Sequence, residues 1–244
     1  LFGEAYVFPI TIPIVAASNK ALFFYSLMGL IIGLLSVGIT KIVYWIEDAF
    51  EKIPIHWAWY PAIGGIAVGI IGYFNPKTLG VGYSNITDLL SGTMALQMII
   101  SLCLLKFISW AISLGSGTSG GTLAPLLTIG GAIGAIAGNL GNAWFPDFGI
   151  SISLSALVGM SAMFAGASRA YLTSIIFALE TTGQSAALLP LLAACTASYT
   201  VSYFLMSNTI TTEKIARRGV YTPHEYGPDL LERTFVSEVA YDSG

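Results

Sequence analysis

Residues 114–138 read LGSGTSGGTLAPLLTIGGAIGAIAG, a run that begins with glycines and hydroxyl residues and then becomes uniformly apolar. No charged side chain occurs between Lys106 and Asp147. Glycine and hydroxyl residues at a helix start leave backbone N–H groups accessible, and the positive end of the helix dipole points to the same place. The stretch therefore predicts an anion-binding site at the beginning of an apolar helix.

The composition of the chain is that of an integral membrane protein. Of its 244 residues, 55% are hydrophobic and only 9% are charged, whereas soluble domains carry roughly 25% charged residues. A helix needs roughly 20 mostly apolar residues to cross the hydrocarbon of a bilayer. The charge-free runs are 21–40, 53–76, 89–105, 114–138, 148–168 and 181–212. The sequence therefore predicts an all-α, multi-pass membrane protein.

Composition also excludes several function classes. The net charge of −3 is too small and too diluted to indicate nucleic acid or an acidic substrate as a partner. Cys103 and Cys195 lie inside apolar runs, where a thiol behaves as a small hydrophobe and a metal site would need more ligands. His56 stands alone among aromatic residues, which favours an interfacial or capping role over ligation. We expect no metal, no cofactor and no enzyme chemistry.

The order of apolar and polar segments predicts the elements of the membrane part. Residues 1–20 read as a loop that follows a segment now missing, and residues 221–244 read as a polar, soluble tail. The predicted elements are a helix over 21–50, a short segment over 61–74, a turn-rich link over 79–88, a helix over 89–110, a turn over 139–149, two short segments over 151–166 and 171–180, and a helix over 186–206.

Two features of these segments concern packing and orientation. Gly29 and Gly33 form a G-x-x-x-G face that suits the close approach of another helix in lipid, and we expect general small-residue packing rather than a specific dimer. The aromatic residues of 54–60 are typical of a membrane interface, and the basic cluster after residue 212 favours a cytoplasmic C-terminus.

Short and interrupted spans favour transport over simple anchoring. Discontinuous helices at membrane depth are tolerated only where the bared backbone lines a cavity or pathway inside the protein. Arg169 and Glu180 are the only charges between Asp147 and Glu213, so each should pair or face a protein interior. For Lys106, snorkelling to the headgroups and drawing anions inward are both open.

Residues 115–122 also come close to a nucleotide-binding P-loop. Gly121 stands where that motif needs its lysine, and the helix that follows is wholly apolar, so the match fails in both chemistry and context. A second alternative, that the glycines only let helices pack closely, stays open from the residues alone.

Four stretches carry a resemblance to a known family. They are GSGTSGGTLAP (115–125), LGVGY (79–83), GASRAYLTSIIFALE (166–180) and TTEKIARRGV (211–220). In this order they resemble the second half of the membrane domain of the CLC family of chloride channels and chloride/proton antiporters. The resemblance covers residues 21–220 and implies an all-α fold of some nine helices, a CLC-like second repeat with short, tilted and broken helices.

The resemblance implies where an anion would bind. In the family the second-half contribution comes from backbone N–H groups of a Gly-x-Phe-x-Pro motif, and the matching residues are Gly121, Thr122, Leu123, Ala124 and Pro125. Leu123 stands where the family usually has Phe, which alters the pathway wall but not the backbone. Thr211 stands where the family usually has an anion-coordinating Tyr, and its hydroxyl can still donate a hydrogen bond over a shorter reach.

The resemblance further implies chloride transport, as a channel or a Cl⁻/H⁺ exchanger, by a lipid-embedded homodimer whose later helices, about 171–206, lie partly at the dimer interface. The anion loop and gating glutamate of the family's first half are missing, so we expect this half alone to be inactive. Residues 235–240 (FVSEVA) resemble the beginning of a CBS domain.

Two other hypotheses remain open. One is a secondary transporter of another anion that uses the same broken-helix arrangement. The other is a structural membrane module.

Overall fold

The computed structural model describes residues 6–10, 14–118, 120–217 and 219, and within these ranges the regular structure is entirely helical. The α-helices are α1 (Asn19–Glu51), α2 (Tyr60–Phe74), α3 (Tyr83–Ser91), α4 (Leu96–Gly115), α5 (Leu123–Trp144), α6 (Ile152–Ser168), α7 (Tyr171–Thr182), α8 (Leu188–Leu205) and α9 (Glu213–Ala216). The predicted all-α fold is therefore confirmed. The predicted tail over 221–244 lies outside the described residues.

Five helical segments of the described chain are long and apolar enough to cross a bilayer. They are Asn19–Glu51, Trp57–Phe74, Leu96–Gly115, Leu123–Trp144 and Ser185–Leu205. The second segment reaches 18 residues only because a 3₁₀ turn, Trp57–Trp59, precedes α2. Within that turn His56 accepts a hydrogen bond from the Ala58 N–H at 3.3 Å, so its predicted capping role is confirmed.

Helix α6 forms the centre of the molecule and is buried on every side. Helix α5 packs directly on it through glycines, with Gly130 and Gly134 facing Gly159 and Ser155. A Cβ on Gly134 would lie 3.0 Å from the Gly159 Cα, a separation that real side chains avoid. The two backbones therefore touch, and this contact holds α5 in place.

Helices α1 and α8 form a second close contact. A Cβ on Gly29 would lie 2.6 Å from the Ala194 Cα, and one on Gly33 would lie 2.9 Å from the Ser198 Cα. The G-x-x-x-G face of α1 therefore packs within the chain, as small residues do between membrane helices.

The predicted boundary between a link and a single helix in residues 79–110 was wrong. The link over 79–88 contains most of α3, and the predicted helix over 89–110 is interrupted after Ser91. Gly92 has φ +69°, a left-handed conformation that ends α3 and that glycine adopts without strain. Helix α4 begins only at Leu96.

Two cations, one buried and one half-buried, bond to backbone carbonyls. Lys106 is 4% exposed, and its Nζ donates to the carbonyls of Thr78 at 2.9 Å and Gly80 at 2.8 Å. It therefore ties α4 to the α2–α3 link and does not snorkel. Arg169 donates to carbonyls at the C-terminal end of α8, including those of Ser202 and Met206, where the helix dipole favours a cation.

Two further sequence expectations concern isolated side chains. Within the described ranges Arg169 makes no ion pair with Glu180, which is exposed. Cys103 and Cys195 are buried free thiols, in agreement with their predicted role as small hydrophobes.

Candidate anion site

A tight turn joins α4 to α5 and sets the direction from which α5 starts. Ser116 ends α4, and its hydroxyl donates to the Ser113 carbonyl at 2.8 Å and lies 3.0 Å from the Thr118 hydroxyl. Gly117 has φ +79°, so a residue with a side chain would be strained there. Ser116 and Thr118 thus build the turn, while Ser119 lies outside the described residues.

The N-terminal end of α5 presents backbone N–H groups without a described acceptor. Thr122 caps the helix through its carbonyl, which accepts from the Leu126 N–H at 3.2 Å, but its side chain makes no capping bond. No described residue accepts a hydrogen bond from the N–H of Leu123 or Ala124. Since the first N–H groups of a helix also carry its positive dipole end, this position favours an anion.

The space around this helix start is open. Among the described residues, a Cβ on Gly121 would meet no atom within 4 Å, so packing against them does not require a glycine here. Leu123, the first residue of α5, is 38% exposed.

A cleft of about 490 Å³ adjoins this helix start. Thr118, Gly120 and Thr122 line one side of it, and Ile210 and Thr211 line another. The structure therefore brings together Thr122 and Thr211, two predicted site residues from distant parts of the chain. Gly121, Leu123 and Ala124 neighbour Thr122 in sequence but are not among the residues that line the cleft.

Thr211 belongs to a network of three hydroxyl groups in front of α9. Its Oγ1 lies 2.8 Å from the Oγ1 of Thr209, which lies 3.0 Å from that of Thr212. Thr211 is exposed toward the cleft and has one donor and two acceptor positions, so it can bond to Thr209 and also donate to an anion.

Sequence reasoning missed a third side of the cleft, which comes from the C-terminal part of α1. Tyr44 and Glu47 line it together with Lys214 from α9. Lys214 pairs with Glu47 at 3.1 Å, so the cation at the rim is already neutralised. Lys214 could have been found from the sequence, because it lies within the TTEKIARRGV stretch, but no local pattern indicates that Tyr44 lines the cleft.

Arg217 ties α9 to the same part of α1. Its guanidinium pairs with Asp48 and with Glu213, and lies 4.8 Å from the centre of the Tyr44 ring. The hydrogen bond to Asp48 raises the pKa of Arg217 above its ordinary value, so this group keeps its charge.

Comparison with known proteins gives the family. A sequence model of the family described as "Voltage gated chloride channel" matches residues 1–203. The H⁺/Cl⁻ exchange transporter ClcA of Yersinia pestis is 28% identical over 207 residues, which cover 82% of this chain and 43% of that protein. The ClC-type chloride channel ClcB of Escherichia coli strain SMS-3-5 is 30% identical over 191 residues, 78% of this chain and 46% of that protein.

Solved structures show the same fold. A slow cyanobacterial Cl⁻/H⁺ antiporter superposes with a TM-score of 0.79 at 23% identity, covering 88% of this chain and 51% of that one. A CLC-type fluoride/proton antiporter superposes with a TM-score of 0.68 at 21% identity, covering 80% and 47%. The chain spans about half the length of the relatives that it matches. With a family match over more than four-fifths of its residues, this chain belongs to the voltage-gated chloride channel (CLC) family.

Proposed function

We propose that this chain is the second half of the membrane domain of a CLC protein that moves chloride across a membrane, as a channel or a Cl⁻/H⁺ exchanger. The anion binds at the start of α5 through backbone N–H groups of residues 121–124 and through the Thr211 hydroxyl. One observation supports this most strongly. Thr122, which caps α5 next to N–H groups without a described acceptor, lines one cleft with Thr211 although the two residues are far apart in the chain.

The rest of the arrangement belongs to the same proposal. Residues 21–220 form the membrane half, residues 221–244 begin a cytoplasmic domain, and a first half supplies the remaining ligands and the gate. Two such proteins pair through α7 and α8, where apolar side chains such as Leu172, Ile176 and Leu189 are exposed. The named relatives are transporters and channels, which supports a function without enzyme chemistry or cofactor.

The proposed anion-binding site can be tested by adding bulk at Gly121 in the complete transporter, meaning this chain joined to its proposed first half. A Gly121→Leu side chain has room in the fold but would cover the N–H groups. Because hydrogen bonds to a charged group are among the strongest, we expect chloride flux into liposomes to fall by at least about tenfold. Gly65→Leu, at a glycine of α2 that also has open space around it, is the control for added bulk and should keep normal flux.

Unchanged chloride flux in Gly121→Leu would overturn the proposed anion-binding site.

The same assay tests the other two hypotheses. If another anion outcompetes chloride, that anion is the substrate; the short Thr211 side chain is the reason to measure this competition. A complete absence of anion flux in the unmodified transporter would favour a structural module.

A further inference from the structure

Tyr44 is a buried tyrosine at the edge of the candidate anion site. It lies in the C-terminal part of α1, is 7% exposed, and donates its hydroxyl hydrogen to the Ile210 carbonyl at 2.7 Å. The Arg217 guanidinium lies over the face of its ring, 4.8 Å from the ring centre. The hydroxyl is therefore committed to one backbone group, the one that immediately precedes Thr211.

The backbone of Ile210, the residue that precedes Thr211, is held from two sides. The N–H of Ile210 donates to the Ala167 carbonyl at the end of α6 at 3.0 Å, while its carbonyl accepts from Tyr44. Ile210 itself is only 3% exposed. Because α1 and α6 are packed in the core, these two bonds set the position of the Ile210 backbone relative to the helices.

Such anchoring matters more for threonine than for a longer side chain. The threonine hydroxyl stands on Cβ, so rotation about one bond is its only means of adjustment. Hydrogen bonds weaken steeply with distance and angle. A small shift of the backbone at residue 211 would therefore remove its hydroxyl from the anion.

We propose that Tyr44 is a positioning residue of the anion site, which acts through the Ile210 carbonyl to hold the Thr211 hydroxyl at the cleft. The inference rests on the proposed function, because it assigns Tyr44 a role in the same site. Tyr44 does not itself bind the anion, since its hydroxyl hydrogen is used by Ile210.

The chain offers a matched control for the loss of this hydroxyl. Tyr25 lies on the same helix, is fully buried, and accepts a hydrogen bond from the Ser151 N–H at 3.3 Å, away from the cleft. Tyr44→Phe and Tyr25→Phe each remove one buried hydroxyl from α1 and keep the ring. A purely structural role of Tyr44 would make the two variants alike.

The experiment measures chloride binding to the complete transporter by calorimetry. We expect Tyr44→Phe to weaken binding about fivefold, the usual effect of one buried hydrogen bond, and Tyr25→Phe to change it less than twofold. In a Thr211→Val background, Tyr44→Phe should have no further effect, because the group that it positions is absent. Chloride-dependent thermal shifts provide a second readout for variants of lower stability.

Other outcomes would contradict either the role of Tyr44 or the proposed function. Equal chloride affinities of Tyr44→Phe and Tyr25→Phe, or additive effects of Tyr44→Phe and Thr211→Val, would overturn the role of Tyr44 and leave the proposed function intact. No chloride binding by the unmodified transporter would overturn the proposed function, and the role of Tyr44 with it.

Discussion

At the scale of single residues, the candidate site differs from the family pattern in two side chains with different consequences. Leu123 would change only the side chain next to the proposed backbone contact. Thr211 would change a proposed ligand, because a hydroxyl on Cβ stands in place of one at the end of a phenol ring. Tyr44 occupies the same cleft on the other side of the Ile210 peptide.

Restoring the family residue at position 211 should strengthen the site. Thr211→Tyr moves the hydroxyl further into the cleft, and a closer, better-aligned hydrogen bond to an anion should tighten chloride binding by about tenfold. Calorimetry on the complete transporter measures this. The control is Thr87→Tyr on α3, because the Thr87 hydroxyl donates to the Tyr83 carbonyl of its own helix. Equal affinities before and after Thr211→Tyr would remove the proposed role of this position.

At the scale of elements, the start of α5 depends on its contact with α6. Gly134 and Gly159 allow the two backbones to touch, so the helix whose start would bind the anion is fixed by a contact deeper in the molecule. Interiors packed this closely respond to added volume with strain and backbone shifts.

Gly134→Val should therefore destabilise the membrane domain. Its Cβ would meet the Ser155 carbonyl, and we expect the free energy of unfolding in detergent to fall by about 2 to 3 kcal/mol, the cost of overpacking. Gly69→Val in α2 has no atom within 4 Å of its Cβ and controls for placing valine in a helix. If both variants unfold at the same denaturant concentration, the close contact does not hold α5.

At the scale of the whole molecule, the described part of the chain presents much apolar surface, and the cleft beside the start of α5 is open. Exposed side chains such as Phe23, Ile31 and Leu104 suit lipid or another part of the protein. Backbone groups bared at broken helix ends are tolerated in a membrane only where protein surrounds them.

We therefore expect this chain alone to give no chloride flux in liposomes above that of empty vesicles. Co-expression with its proposed first half should restore flux, because that half would close the cleft and supply the other ligands. The Gly121→Leu variant of the restored protein is the control for specific transport. Flux from the chain alone would show that the described half already contains a complete pathway.

The sequence by itself determined the features that depend on neighbouring residues. The apolar runs predicted the spanning helices, and the glycine and hydroxyl run predicted where α5 starts, because burial in lipid and backbone freedom are local properties of the chain. The capping role of His56 and the close-packing face of α1 were predictable for the same reason. The break at Gly92 is also local, but the apolar run that continues through it obscured the left-handed turn.

Only the tertiary structure decided which distant groups meet. Lys106 could not be assigned to the carbonyls of Thr78 and Gly80, nor Arg169 to the end of α8, because a cation in a membrane protein has many possible carbonyl partners. The placement of Thr122 and Thr211 on one cleft and the bond from Tyr44 to Ile210 likewise depend on how α1, α5 and α6 pack. The relative positions of these helices arise from contacts between backbone segments that are far apart in the chain, and no local sequence pattern predicts such contacts.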